Sequence, residues 1–163
     1  MKYELIRDKI KTGDALMFSV STWDTVWDKI AQLVRFKRRS KWSHIGMAVV
    51  LAGRVWVLEA TRHGVFPTPI TVKGQDFGWI PAEELNDAGI ERAFSQIGKG
   101  YGWLDAARAD RGVLNAGDND LWECAELFCW CKDIEDCLMV PDAVADYLLR
   151  GDVSLTEVQL CST

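Results

Sequence analysis

The sequence predicts an α+β fold in a single domain spanning residues 1–163. Strand-like segments cluster in the middle of the chain, and apolar residues at helical spacing flank them on both sides. A chain of 163 residues is long enough for one sizeable core and too short for two comfortable ones. Hydrophobic and charged fractions of 48% and 26% are those of an ordinary folded, soluble protein.

Taken in order, the first strand is expected around Asp14 to Ser19, entered through the turn Thr12-Gly13-Asp14. Trp23, Val26, Trp27, Ile30, Leu33 and Val34 then recur at helical spacing, so 23–34 reads as a helix. The run from Arg35 to Lys41 is basic and reads either as a solvated loop or as a patch for an anionic ligand.

Residues 44–51 and 54–60 are apolar runs separated by Ala52-Gly53, the signature of a β-hairpin. A two-residue turn pairs Leu51 with Arg54. Ile45, Met47 and Val49 then oppose Ala60, Leu58 and Trp56 on one face. The other face carries His44, Gly46, Ala48 and Val50 opposite Thr61, Glu59, Val57 and Val55, which brings His44 within reach of Glu59.

Val65 to Val72 is expected to be an edge strand because Pro67 and Pro69 interrupt it. Ile90 to Ile97 has helical spacing. Asp118 to Lys132 reads as a strong helix with Asp118, Asn119 or Asp120 as its cap and a stripe of Leu121, Ala125, Phe128 and Lys132. A last helix from Ala143 to Arg150 follows Pro141 and stops at Gly151.

Charge and cysteine usage exclude several function classes. A net charge of −5 and a pI near 5.0 argue against nucleic acid as a partner. Five cysteines is an odd number, and the helical spacing of Cys124, Cys129 and Cys131 does not fit a disulfide framework. No C-x-x-C motif occurs and neither histidine lies near a cysteine pair, so no metal site and no cofactor are expected. The N-terminus has no apolar signal segment and no apolar run spans a bilayer, which predicts a cytoplasmic protein without stable membrane insertion.

Three residues carry chemistry in this pattern. Cys124 lies in the first turns of its predicted helix, where the dipole and unpartnered N–H groups favour a thiolate and can hold an oxyanion. Glu123 and Glu126 act against that if they point at the sulfur. His44 starts a strand on a face lined by the small residues Gly46 and Ala48, the expected seat of the Cys124 helix. Glu59 is the carboxylate that orients the imidazole, completing a nucleophile, base and orienter. His63 sits on a loop and is a poor second choice for the base. Gly98-x-Gly100-x-Gly102 follows a helix and lacks the context of a dinucleotide site. Trp42 and Trp103, two of eight tryptophans, are near enough to line a substrate groove.

These motifs resemble the NlpC-type branch of the papain-like cysteine peptidases in its circularly permuted form. Gly13-Asp14-Ala15-Leu16-Met17-Phe18 resembles the family's P-G-D-L-V-F-F strand, and His44-Ile45-Gly46-Met47-Ala48 its H-V-G-I-Y strand. Val57-Leu58-Glu59-Ala60 matches the glutamate strand of the permuted group. Gly98-Lys99-Gly100-Tyr101-Gly102-Trp103 resembles G-x-P-Y-x-W, and Glu123-Cys124-Ala125-Glu126-Leu127 resembles the D-C-S-G/E-L nucleophile helix. Gly100 stands where the family has proline, and Ala125 where it has serine.

The resemblance implies a central antiparallel sheet with a nucleophile helix packed on it. It implies Cys124 as nucleophile, His44 as general base and then acid, Glu59 as orienter and Tyr101 as an oxyanion donor. The expected activity is hydrolysis of an amide bond in a small peptide or peptidoglycan fragment. For a cell-wall substrate, the lack of an export signal points to a recycling role or to delivery by a phage or secretion apparatus. Two alternatives use the same groove: a lipid acyltransferase or esterase of the related lecithin:retinol acyltransferase group, and a catalytically silent binding module.

Overall fold

The computed structural model describes residues 3–19, 41–73, 76–102, 121–135, 140–151 and 159–161. The expected helix 23–34, residues 35–40 of the basic run, Trp103 and the caps Asp118, Asn119 and Asp120 lie outside the described residues.

The described chain is α+β. Its strands are β1 (Ala15–Phe18), β2 (His44–Leu51), β3 (Arg54–Thr61), β4 (Gly64–Pro69), β5 (Phe77–Ile80), β6 (Gly100–Tyr101), β7 (Leu121–Trp122) and β8 (Gln159–Cys161). Its helices are α1 (Asp87–Ser95), α2 (Cys124–Cys131) and α3 (Pro141–Gly151), with 3-10 turns at Tyr3–Leu5 and Ile70–Val72. Six strands form an antiparallel sheet in the order β4-β3-β2-β1-β5-β8, while β6 and β7 pair in parallel beside it. Among the described residues, no helix is long and apolar enough to cross a membrane.

The hairpin has the register its apolar pattern requires. Leu51 pairs with Arg54, Val49 with Trp56, Ala48 with Val57 and Met47 with Leu58. Ala52 and Gly53 both have positive φ, the geometry a two-residue turn needs to match strand twist. The proline-bearing β4 is an edge strand of the sheet, as proline's missing donor dictates, and ends at Pro69 in a 3-10 turn rather than continuing to Val72. On the opposite flank β5 inserts between β1 and β8, a strand that the sequence reading left unassigned.

Alternation along the strands divides the core into two layers. On one face Met17, Ile45, Met47, Val49, Leu58 and Ala60 pack with Cys124, Ala125, Phe128 and Cys129 of α2. On the other face Leu16, Phe18, Ala48, Val57 and Phe77 are covered by Tyr3, Ile6, Ile10 and Ile70.

This arrangement corrects one expectation. Helix α2 packs on the sheet, but on the Ile45–Met47–Val49 face rather than the face of Gly46 and Ala48. Gly46 is small for a different reason: a Cβ there would stand 2.4 Å from Val57 Cγ1 on the neighbouring strand.

The nucleophile helix is also shorter than its apolar stripe suggested. Leu121 and Trp122 are strand, and Glu123 is the N-cap, with Glu126 reaching back to the Glu123 N–H at 3.3 Å. Nearly every residue of α2 is buried, which its apolar composition allows on all sides. The turn before β1 is fixed by Asp14, whose carboxylate accepts from Lys11 N–H (2.8 Å), Trp79 Nε1–H (2.8 Å) and Ala82 N–H (2.9 Å).

Candidate active site

Starting α2 at Cys124 places the thiol at the very first helical residue, closer to the positive end of the dipole than a helix begun at Asp118 would have done. The backbone N–H groups of Cys124 and Ala125 point at the sulfur, and so does the N–H of Ile45 from the start of β2. Cys124 Sγ therefore lies against the strand one residue after His44. The residue is 6% exposed, and like the buried Cys129 and Cys131 it is in no disulfide.

Two effects oppose the thiolate that the helix start favours. Burial pushes the Cys124 thiol well above the ordinary range, and the Glu123 carboxylate pushes it further. The three N–H groups act in the opposite direction but do not overcome these two effects. Cys131, deeper in the helix, is pushed up to about 12 by burial, against the pull of Arg92.

His44 and Glu59 meet as the hairpin register requires. His44 Nε2–H donates to Glu59 Oε2 at 2.6 Å, and the Glu59 side chain is only 3% exposed. Both lie on the face away from α2, where the His44 ring is 6.0 Å from the Phe18 ring, centroid to centroid. Among the described residues, no hydrogen bond joins the imidazole to the Cys124 sulfur. With Nε2 engaged by Glu59, Nδ1 is the ring nitrogen left for proton transfer.

Sequence reasoning missed a third member of this cluster. Lys73, just after the Ile70–Val72 turn, donates from Nζ to the same Glu59 Oε2 at 2.6 Å and lies 4.7 Å above the Phe18 ring. Burial alone would raise the Glu59 carboxyl. The hydrogen bond and charge of His44 oppose it, with Lys73 adding to them, and together they hold the carboxyl at about 2. The only hint in the sequence was energetic: a glutamate inside an apolar strand needs full charge compensation, and no spacing rule ties it to a lysine 14 residues later.

The parallel pair β6–β7 delivers Tyr101. Tyr101 aligns with Trp122, and Gly102 N–H donates to Trp122 C=O at 3.0 Å, so the phenol arrives beside the entry to α2. Burial, followed by the charges of Cys124 and Glu123, raises the Tyr101 hydroxyl far above its ordinary range. It is thus held as a donor in the neighbourhood of the sulfur.

Trp42 is 6% exposed and belongs to the core cluster that contains Cys124, with its backbone N–H donating to Asp142 Oδ1 at 3.3 Å. It fills the interior instead of forming an open groove wall. His63 is exposed on the β3–β4 turn, where its Nε2 accepts from Arg62 Nε–H at 2.9 Å, away from this cluster. Among the described residues, no group of three or more His, Cys, Asp or Glu side chains is arranged to hold a metal ion.

No protein-family model matches this chain, and no curated protein matches it. Among solved structures it is similar to "Crystal structure of metalloprotein yiiX from Escherichia coli O157:H7, DUF1105". The identity is 18%, the match covers 94% of this chain and 88% of that chain, and the TM-score is 0.42. A likeness of that size carries no argument about the site.

Proposed function

We propose that this chain is a cysteine hydrolase of the papain-like, circularly permuted NlpC type that cleaves an amide bond in a small peptide, a peptidoglycan peptide being the first candidate. One observation supports this reading above the others. A thiol at a helix N-terminus, with three backbone N–H groups converging on it, lies against the residue that follows a histidine oriented by a buried carboxylate.

In this reading His44 Nδ1 takes the Cys124 proton and the sulfur attacks the substrate carbonyl carbon. The oxyanion is held by N–H groups at the start of α2 and by the Tyr101 hydroxyl. Collapse of the tetrahedral species breaks the C–N bond, and His44 returns the proton to the leaving amine. Water then attacks the thioester, with His44 removing its proton, and releases the carboxylic acid and the free thiol. Glu59 stays ionised and keeps Nε2 as the protonated ring nitrogen throughout. At rest the ring stands on the face away from α2 with no hydrogen bond to the sulfur, so the first step requires it to turn toward Cys124 while Nε2 keeps its bond to Glu59.

A silent binding module is the second reading, favoured by the raised Cys124 thiol and the missing sulfur–imidazole bond. The test is acylation or alkylation of the intact protein, mapped residue by residue. The hydrolase reading expects Cys124 to react ahead of the other four cysteines and His44→Ala to remove that advantage. Equal rates across all five thiols support the silent module. Release assays on muropeptides and on phospholipids then separate the substrate classes; turnover of lipid acyl esters alone would replace the peptidase reading with an acyltransferase or esterase.

A further inference from the structure

We propose that Lys73 is a positioning residue that divides the Glu59 carboxylate with His44, so that the base is oriented without being locked in its protonated form. This inference rests on the hydrolase reading of Cys124 and His44 and deepens it.

The geometry is a shared acceptor. His44 Nε2 and Lys73 Nζ both lie 2.6 Å from one oxygen, Glu59 Oε2. All three side chains are largely shielded from solvent, with side-chain exposures of 18%, 3% and 16% for His44, Glu59 and Lys73. Screening by water is therefore weak, and each charge acts strongly on the others.

A buried carboxylate with imidazole as its only partner would favour imidazolium, because protonating the ring completes an ion pair. A base that is already protonated cannot take the thiol proton. The ammonium changes that balance: Lys73 and Glu59 form a pair that is already neutral, and the ring can remain neutral while still donating Nε2–H to the same oxygen. Orientation then comes from the hydrogen bond, and basicity is set separately by the lysine.

No other charge faces the carboxylate from the elements around it among the described residues. His44 comes from β2 and Lys73 from the segment after the 3-10 turn. Phe18 on β1 and Phe66, opposite Glu59 on β4, are uncharged. Lys73 is also fixed from above, its ammonium lying over the Phe18 ring in a cation–π contact. That contact leaves it little freedom to move out to solvent.

The experiment measures the rate of Cys124 alkylation against pH in the wild-type chain, Lys73→Met, Lys73→Gln and Lys73→Arg. Folding is checked by circular dichroism, and the Glu59 carboxyl is followed by carbon NMR. Loss of the lysine charge should move the acid limb of the Cys124 profile to higher pH by about one unit, and raise the Glu59 titration by about 1–3 units. Lys73→Arg should restore both. Lys73→Gln, which keeps a donor but no charge, should behave like Lys73→Met.

Unchanged profiles and an unchanged Glu59 titration in folded Met and Gln variants would overturn the proposal. Collapse of both uncharged variants, with Lys73→Arg folded, would also overturn it by assigning Lys73 to stability. A wild-type Cys124 no more reactive than Cys129 and Cys131 would instead count against the hydrolase reading. The Glu59 titration still decides the coupling in that case.

Discussion

His44 on β2 and Glu59 on β3 are joined by a 2.6 Å hydrogen bond between side chains that project from the same face of one hairpin. The bond depends on register, since a slip of one residue would send the two groups to opposite faces. Its charge balance has a pH signature.

Glu59 is held at about 2 in the folded chain, against an ordinary 4.5. A depressed carboxyl contributes stability that is fully present above its unfolded value and lost as pH falls through its folded one. The shift corresponds to about 3 kcal/mol. Glu59→Gln should therefore be less stable than wild type near pH 7, with the gap closing between about pH 5 and pH 2. Urea midpoints of both proteins across that range check it; a gap that stays constant would show that the charge is not what the glutamate contributes.

His44→Ala should retain the fold and lose reactivity at Cys124. The ring is at the first residue of β2, and its removal leaves Glu59 still paired with Lys73. A rate loss of about 10²–10⁴ is expected for the missing acid–base group. Circular dichroism of the variant, alongside its alkylation rate, distinguishes loss of chemistry from loss of structure.

Tyr101→Phe keeps the packing and removes only the hydroxyl. If that hydroxyl holds the oxyanion, kcat falls by about 10²–10³ with the fold unaltered. Wild-type turnover in the variant would reduce Tyr101 to a packing residue.

Gly46→Ala should destabilise the chain by about 1–3 kcal/mol, the usual range for overpacking. Its new methyl would meet Val57 Cγ1 at 2.4 Å and Glu59 Cβ at 3.3 Å. Because the second contact lies next to the orienting carboxylate, the alkylation rate of Cys124 should fall as well. Thermal unfolding and labelling of the same sample read both effects.

Asp14→Ala strips three N–H donors of their acceptor, on Lys11, Trp79 and Ala82. A loss of about 3 kcal/mol is expected if the donors are left unmet in the interior. Denaturant unfolding measures it, and a change below 1 kcal/mol would mean that water takes over the carboxylate's role.

The hairpin was legible because a two-residue turn and a period of two leave one register that gathers its apolar residues. That register alone brought His44 to Glu59. The start of α2 was less legible: Leu121 fits a helical stripe as well as it fits a short strand. Pairing with Gly100, far away in sequence, decides between them. The side of the sheet that α2 covers was misread for a similar reason. Small residues at Gly46 and Ala48 signal close approach but not of what, and the approaching groups are Val57 and the N-terminal segment. Strand β5 and Lys73 depend wholly on tertiary partners. Neither leaves a periodic trace.

The His44–Glu59 and Glu59–Lys73 contacts join residues only 15 and 14 positions apart, whereas the sulfur is delivered by a helix that begins much later in the chain. Short closures form early and long ones late, because the entropy of joining chain ends grows with their separation. The imidazole is thus expected to find its carboxylate before the thiol is in place, and assembly of the site ends with the docking of α2. A nascent chain would carry an oriented base for some time with nothing beside it to deprotonate.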